Sequence, residues 1–389
     1  MNDVFMNTYH RLPVTFVKGN GAYLTDAQGR EYLDFTSGIA VNCLGHNHPD
    51  LVQALGAQAA RLIHVSNYFQ SDASVMFAEK LTAISQMRRV FFCNSGAEAN
   101  EGAIKIARKY SLKKYGPGRH TIVTLRDSFH GRTITTLSAT GQEKFHVNFG
   151  PFTEGFTFIP PNNIEALEQA LDKTVAGLFL EPIQGESGVH ILSDEYLRRA
   201  AELCAEKDIV LMFDEIQSGL GRTGAFLASE HAGVRGDVVT LAKGLAAGIP
   251  VGAVLAGEKT CAVLETGDHG STFGGNALAA AAGVVVLEKL AVPSFLAEIT
   301  ALGEYLLEGL RALNSPVITG MRGRGLIAAC DLTIDARPVL ERLISRTAAG
   351  TRGLLLLQGG PQTLRFLPPY IISRGQIDEG LALLNKALS

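Results

Sequence analysis

Cysteine is scarce and scattered in this chain of 389 residues: Cys43, Cys93, Cys204, Cys261 and Cys330, an odd number with no Cys-x-x-Cys pair. Such a set supplies neither a disulfide framework nor a zinc site, and it suits a reducing, cytoplasmic setting. Charge of one sign is lacking too. Lys+Arg total 35 against 38 for Asp+Glu, a net of -3, so no basic excess points to nucleic acid or a membrane surface. No apolar run reaches the roughly 20 residues of a membrane span. The uncharged stretch around Ala277 to Leu287 reads instead as a buried core helix. The first residues, Met1-Asn2-Asp3-Val4, lack the basic start and apolar core of a signal peptide. There is no repeat or low-complexity segment, and the 42 glycines are spread over many short motifs. What is present is the composition of a globular enzyme, 46% hydrophobic and 19% charged, with length for two or three domains and a large core.

Two apolar runs in the middle of the chain end in ionisable residues. Val210-Leu211-Met212-Phe213 stops at Asp214-Glu215, and Val238-Val239-Thr240-Leu241-Ala242 stops at Lys243-Gly244. Short β-branched and aliphatic runs read as strands buried on both faces of a parallel sheet. Ligands of open α/β sheets sit beyond the carboxyl ends of the strands, so Asp214 and Lys243 are expected to face one crevice.

Around them the pattern alternates strand and helix. Strands are expected at Val90 to Cys93, Thr121 to Leu125 and Val175 to Leu180, and helices from Ser95 to Tyr110 and from Tyr196 to Lys207. Repeated βα units imply an α/β fold with a mostly parallel, doubly wound sheet. Before it, Tyr23-Leu24 and Tyr32 to Phe35 flank Asp26-Ala27-Gln28-Gly29, a hairpin signal. A loop with His46 and His48 then leads into a helix from Leu51 to Leu62. The two histidines lack further ligands at metal spacing, and no metal is expected. After Leu287 the expected order is a helix (Phe295 to Leu313), a strand (Gly325 to Cys330), a helix (Val339 to Ala348), strands near Leu354 and Leu364, and a helix (Ile377 to Leu388). We therefore expect a large domain over 49–287 and a smaller α+β domain formed by 1–48 and 288–389.

Ser95-Gly96-Ala97-Glu98 has the form of a capping box, in which Ser95 takes the backbone N–H three residues on and Glu98 reaches back. Its helix start also offers N–H groups and a positive dipole end to a phosphate at Gly96 and Ala97, where small side chains allow close approach. This is neither a dinucleotide fingerprint nor a P-loop. Phe129-His130-Gly131-Arg132 could cover a planar ring and grip a carboxylate, or be a core phenylalanine beside a solvated arginine. Glu181 and Glu186 stand at a strand end, where one or both could cap a helix. Lys243, poorly solvated after an apolar strand, would have a lowered pKa and serve as a Schiff-base amine, with Asp214 as the anion for a pyridinium nitrogen. A buried structural ion pair between the two would be costly.

These motifs, with Asp214-Glu215-Ile216-Gln217, Lys243-Gly244 and Ser271-Thr272-Phe273-Gly274-Gly275-Asn276, closely resemble those of the class III pyridoxal-phosphate aminotransferases of fold type I. The resemblance runs nearly end to end, from Met6-Asn7-Thr8-Tyr9 to Leu364-Arg365-Phe366-Leu367-Pro368-Pro369. It implies that Lys243 carries pyridoxal 5'-phosphate and shuttles the proton, that Asp214 pairs with the ring nitrogen, and that Phe129 stacks on the ring with Gln217 near its hydroxyl. Ser95, Gly96 and Ala97 would hold the phosphate, with Thr272 reaching the phosphate of the neighbouring subunit of a homodimer. Arg132, Arg365, Glu186 and Ser271 would bind substrate, with Glu186 covering Arg365 when no carboxylate is there. The implied reaction moves the δ-amino group of N2-acetyl-L-ornithine to 2-oxoglutarate in arginine biosynthesis. Succinylornithine, N-succinyl-diaminopimelate, ornithine or 4-aminobutyrate are alternative donors, and a regulatory protein that has lost turnover is the rival from another class. Ala277, where relatives often carry proline, and the aromatic stretch Ser66-Asn67-Tyr68-Phe69 leave the acyl pocket open.

Overall fold

The computed structural model describes residues 4–345 and 351–389. The buried apolar runs form a seven-stranded central sheet of β1 (Arg89–Cys93), β2 (Thr121–Leu125), β3 (Phe156–Ile159), β4 (Val175–Leu180), β5 (Val210–Asp214), β6 (Val238–Leu241) and β7 (Gly252–Ala256). Their spatial order is β1-β7-β6-β5-β4-β2-β3. Every residue of β4, β5, β6 and β7 is buried, the signature of strands covered on both faces. The sheet is mostly parallel, as expected, but β7 runs antiparallel to both β6 and β1. Segment 242–251, which joins β6 to β7, is shorter than the dozen residues a parallel crossover needs, so the chain turns straight back. That return places Lys243 at the mouth of the sheet.

Helix α1 (Gly96–Tyr115) packs against β4, β6 and β7. It outruns the expected end at Tyr110. Lys113 and Lys114 suit the negative end of its dipole, and Gly116 at φ 77° lets the chain leave. Helix α2 (Asp194–Glu206) starts two residues earlier than expected because Ser193 caps it through the N–H of Tyr196. Helix α3 (Ala277–Leu290) is largely buried, as its composition implied, and packs on the helix Asp72–Ser85. A Cβ on Gly283 would sit 2.2 Å from the Phe77 ring, so the contact requires glycine. Among the described residues no single helix is long and apolar enough to cross a membrane.

The N-terminal hairpin forms as expected, its turn held by the Asp26 carboxylate, which accepts the N–H groups of Gln28 and Arg30. Strand Gly353–Leu355 adds to it in parallel, so the two ends of the chain share one sheet. A second, antiparallel sheet holds Ile318–Arg324, Ile327–Leu332, Thr363–Phe366 and Leu357–Gly360, with the helix Pro293–Ala312 packed on it. Arg365 projects from Thr363–Phe366. The helix expected over Val339 to Ala348 spans Ala336–Ser345; positions 346–348 lie outside the described residues.

Candidate active site

Asp214 closes β5 beside Thr240 of β6 and is 4% exposed. Its Oδ2 accepts from His130 Nδ1 at 2.8 Å and from Asn100 Nδ2 at 2.7 Å; its Oδ1 accepts from the N–H of Ile216 at 3.1 Å. Asn100 also donates to the carbonyl of His130 at 2.7 Å. Both of its amide hydrogens are then used, so Asn100 Oδ1 must accept from the Thr240 hydroxyl, 2.7 Å away. The His130 ring lies stacked on Phe179 at 4.2 Å between centroids. Glu215, next in sequence, turns away to Ser218 and Ser229.

Lys243 begins a 3-10 turn at φ 45°, and no ion pair to Asp214 or to any other described carboxylate forms. The structural ion pair is therefore not realised. Burial pushes its ammonium down to about 8, against the pull of Asp214, Glu181 and Glu186 in the other direction. Glu181 caps no helix. Its Oε2 accepts the N–H of Phe129 at 2.9 Å, and burial followed by the nearby Asp214 raises its carboxyl well above the usual carboxylate range.

At the other end, Ser95 caps α1 through the N–H of Glu98 at 3.2 Å, as expected. Glu98 does not close the box on Ser95. It takes the backbone N–H and side-chain amide of Asn94, both at 2.9 Å, one residue further back. The first-turn N–H groups of Gly96 and Ala97 have no acceptor within their own helix. A Cβ on Gly96 would come 2.8 Å from Ile216, so this approach is reserved for glycine.

A cavity of about 420 Å³ brings Ser95, Gly96, Ala97, Phe129, Arg132, Asp214, Gln217 and Lys243 together, with Glu181 on its wall. It thus joins an unpaired amine, a firmly held carboxylate, an aromatic ring and a helix start, inside the volume range of cofactor sites. Arg132 is exposed, its guanidinium 3.9 Å from the Phe145 centroid and 5.4 Å from that of Phe129. Arg365 is buried. Its Nη1 donates to the carbonyl of Gly185 at 2.6 Å and to Gln217 Oε1 at 3.2 Å, while Nε has no partner. Burial lowers its pKa to about 10. Glu186 is not on Arg365; it accepts from Gln142 Nε2 at 2.7 Å. Gln217, expected near a ring hydroxyl, touches Arg365 as well as the cavity.

Ser271 and Thr272 stand apart from this cavity. Ser271 Oγ accepts from Asn94 at 3.2 Å and from the N–H of Gly274 at 3.0 Å, while Thr272 is exposed. Asn67 ties this loop to its own, between the helices Pro49–Arg61 and Asp72–Ser85, through the carbonyls of Ser271 and Gly274. The joined surface presents Ile63, Tyr68, Phe69 and Phe273 at 55–94% exposure. His130 and Asn100 had no assigned role in the sequence, and Glu181 only that of a candidate helix cap. Their positions inside the motifs were the only signal.

Comparison with known proteins agrees with this geometry. Residues 4–388 match the family model "Aminotransferase class-III". Acetylornithine aminotransferase of Caldanaerobacter subterraneus is 46% identical, with 99% of this chain and 97% of that protein aligned. Among solved structures, ornithine aminotransferase from Toxoplasma gondii, with partial occupancy of PLP at its active site, superposes with a TM-score of 0.93 at 37% identity, over 99% of this chain and 92% of that one. N-acetylornithine aminotransferase from Stenotrophomonas maltophilia gives 0.85 at 40% identity, over 97% and 96%. This chain belongs to the class-III aminotransferases, pyridoxal-phosphate-dependent transaminases of fold type I.

Proposed function

We propose that the enzyme transfers the δ-amino group of N2-acetyl-L-ornithine to 2-oxoglutarate, giving N-acetyl-L-glutamate 5-semialdehyde and L-glutamate, a step of arginine biosynthesis. The observation that carries this is the cavity itself, where an unpaired Lys243 and a triply held Asp214 share space with the exposed Arg132, while the buried Arg365 adjoins it through Gln217. The donor set fits pyridoxal phosphate: Asp214 for the ring nitrogen, Phe129 for its face, Gln217 for its hydroxyl, and Ser95, Gly96 and Ala97 for its phosphate. When bound, the cofactor supplies an electron sink for the pair left as a substrate C–H bond breaks.

Lys243 Nζ, poised near neutrality by burial, would take that proton from the carbon bearing the transferred amine and shuttle it between the substrate carbon and the cofactor. Arg132, at the exposed rim, holds the carboxylate distant from the reacting carbon in both substrates. Arg365 holds the second carboxylate of 2-oxoglutarate, and a bidentate pair there suits a buried guanidinium. For the terminal amine, which brings no such carboxylate, Glu186 takes its place on Arg365.

Thr272 and Ser271 are assigned to a site shared between two copies. Their surface of exposed aromatic and aliphatic side chains supports a homodimer. The sheet common to both chain ends supports a small domain of 1–48 and 288–389 beside a large one of 49–287. The five free cysteines suit the cytoplasm.

The deciding experiment is the visible absorbance of the holoenzyme titrated with N2-acetyl-L-ornithine without any keto acid. Conversion of the cofactor band to its amine form, stronger than with succinylornithine or 4-aminobutyrate, is the expected result. A band that ignores N2-acetyl-L-ornithine but answers another amine transfers the assignment to that donor.

A further inference from the structure

Resting on that function, we infer that Gln142 is a latch that parks Glu186 away from Arg365 and so sets the balance between the two half-reactions. Gln142 is 6% exposed, and its Nε2 donates to Glu186 Oε2 at 2.7 Å and to the carbonyl of Ser128 at 3.2 Å. Both partners are acceptors, so the amide can face them only with its nitrogen. The backbone behind it is fixed. Ser128 Oγ accepts the N–H of Gly141, and the carbonyl of Gly141 accepts the N–H of Asp127. A Cβ on Gly141 would lie 2.0 Å from the carbonyl of Leu125, so the two segments pack too closely here for any side chain.

The consequence appears at Arg365. With Glu186 on Gln142, the guanidinium keeps only the neutral oxygens of Gly185 and Gln217, and its Nε stays unpartnered in a buried position. A buried cation so placed is open to a substrate carboxylate. With Gln142 removed, Glu186 has one fewer competing donor and moves to the cation beside it. An incoming 2-oxoglutarate must then displace it, while the terminal amine finds its preferred arrangement already made. Gln142 also precedes the turn Glu143–Phe145, whose Phe145 ring lies under Arg132. One segment thereby adjoins Arg132 and the glutamate assigned to Arg365. Gln142 itself touches no reacting atom and is a positioning residue.

The test is Gln142→Leu, close in size but without the donor, followed by single-turnover kinetics of each half-reaction on the holoenzyme. The expected result is a roughly tenfold rise in the 2-oxoglutarate concentration for half-maximal rate, with the amine half unchanged or faster. A general packing defect would slow both halves alike, and that outcome overturns the latch. In a Glu186→Gln background the same substitution should have no separate effect on 2-oxoglutarate. A full tenfold effect persisting there also overturns it, even if Gln142→Leu folds poorly. A wild-type enzyme that answers 2-oxoglutarate but not N2-acetyl-L-ornithine removes the donor assignment while leaving the latch testable on the donor found.

Discussion

The aspartate corner and the arginine corner of the site treat charge in opposite ways. Asp214 receives three hydrogen bonds, and Asn100 and His130, which make two of them, are themselves held by Thr240 and by stacking on Phe179. Arg365 uses one nitrogen on two neutral oxygens and leaves another unpartnered, while the nearby Glu186 is fastened to Gln142. The difference follows from what each corner meets. The ring nitrogen is the same in both half-reactions, so its partner can be preorganised completely. The substrates differ in whether they bring a second carboxylate, and a fully satisfied arginine could not respond to that difference.

The largest predicted effect is on the fixed side. Lys243→Ala should remove transamination by more than about 10³-fold while leaving circular dichroism and the melting temperature near wild type, since the lysine makes no ion pair for the fold to lose. Residual turnover within tenfold of wild type would overturn its role. On the adjustable side, Arg365→Ala should cost the 2-oxoglutarate half-reaction roughly 2 to 4 kcal/mol and the amine half much less. Equal losses in both halves would mean that Arg365 is a fixed element like Asp214, and the contrast between the corners would disappear.

The fixed corner was also the more legible in sequence, for a physical reason. Asp214 and Lys243 stand where apolar strand runs stop, and period and burial make such endings visible. Ser95 was legible because capping is local, acting through a backbone N–H three residues on. The support of Asp214 was not. His130 and Asn100 reach it across 84 and 114 residues of chain, and no local pattern marks a contact of that span. Glu98 misled because Asn94 offers two donors where Ser95 offers one. The antiparallel turn of β7 depended on a connection length rather than on the strand's composition. Glu186 and Arg365 were expected to face each other, yet the partner Glu186 holds is Gln142, a residue that carries no charge and sits in no motif.

The smallest effect tests the contrast at Lys243 itself. Were the lysine paired with Asp214, the pair would favour the ammonium and lift its pKa above the ordinary lysine range. Instead burial dominates and lowers it to about 8. Only the unprotonated amine can attack an aldehyde, so loading of the apoenzyme with pyridoxal phosphate should quicken about tenfold per pH unit below that value and level off above it. Stopped-flow absorbance between about pH 6 and 10 measures the profile. Asp214→Asn removes the nearby anion that most favours the charged form, so its midpoint should shift lower. A midpoint that instead rises in Asp214→Asn would mean that this carboxylate does not favour the ammonium. A wild-type profile still climbing at the upper limit would place Lys243 in an ion pair and make the two corners of the site alike.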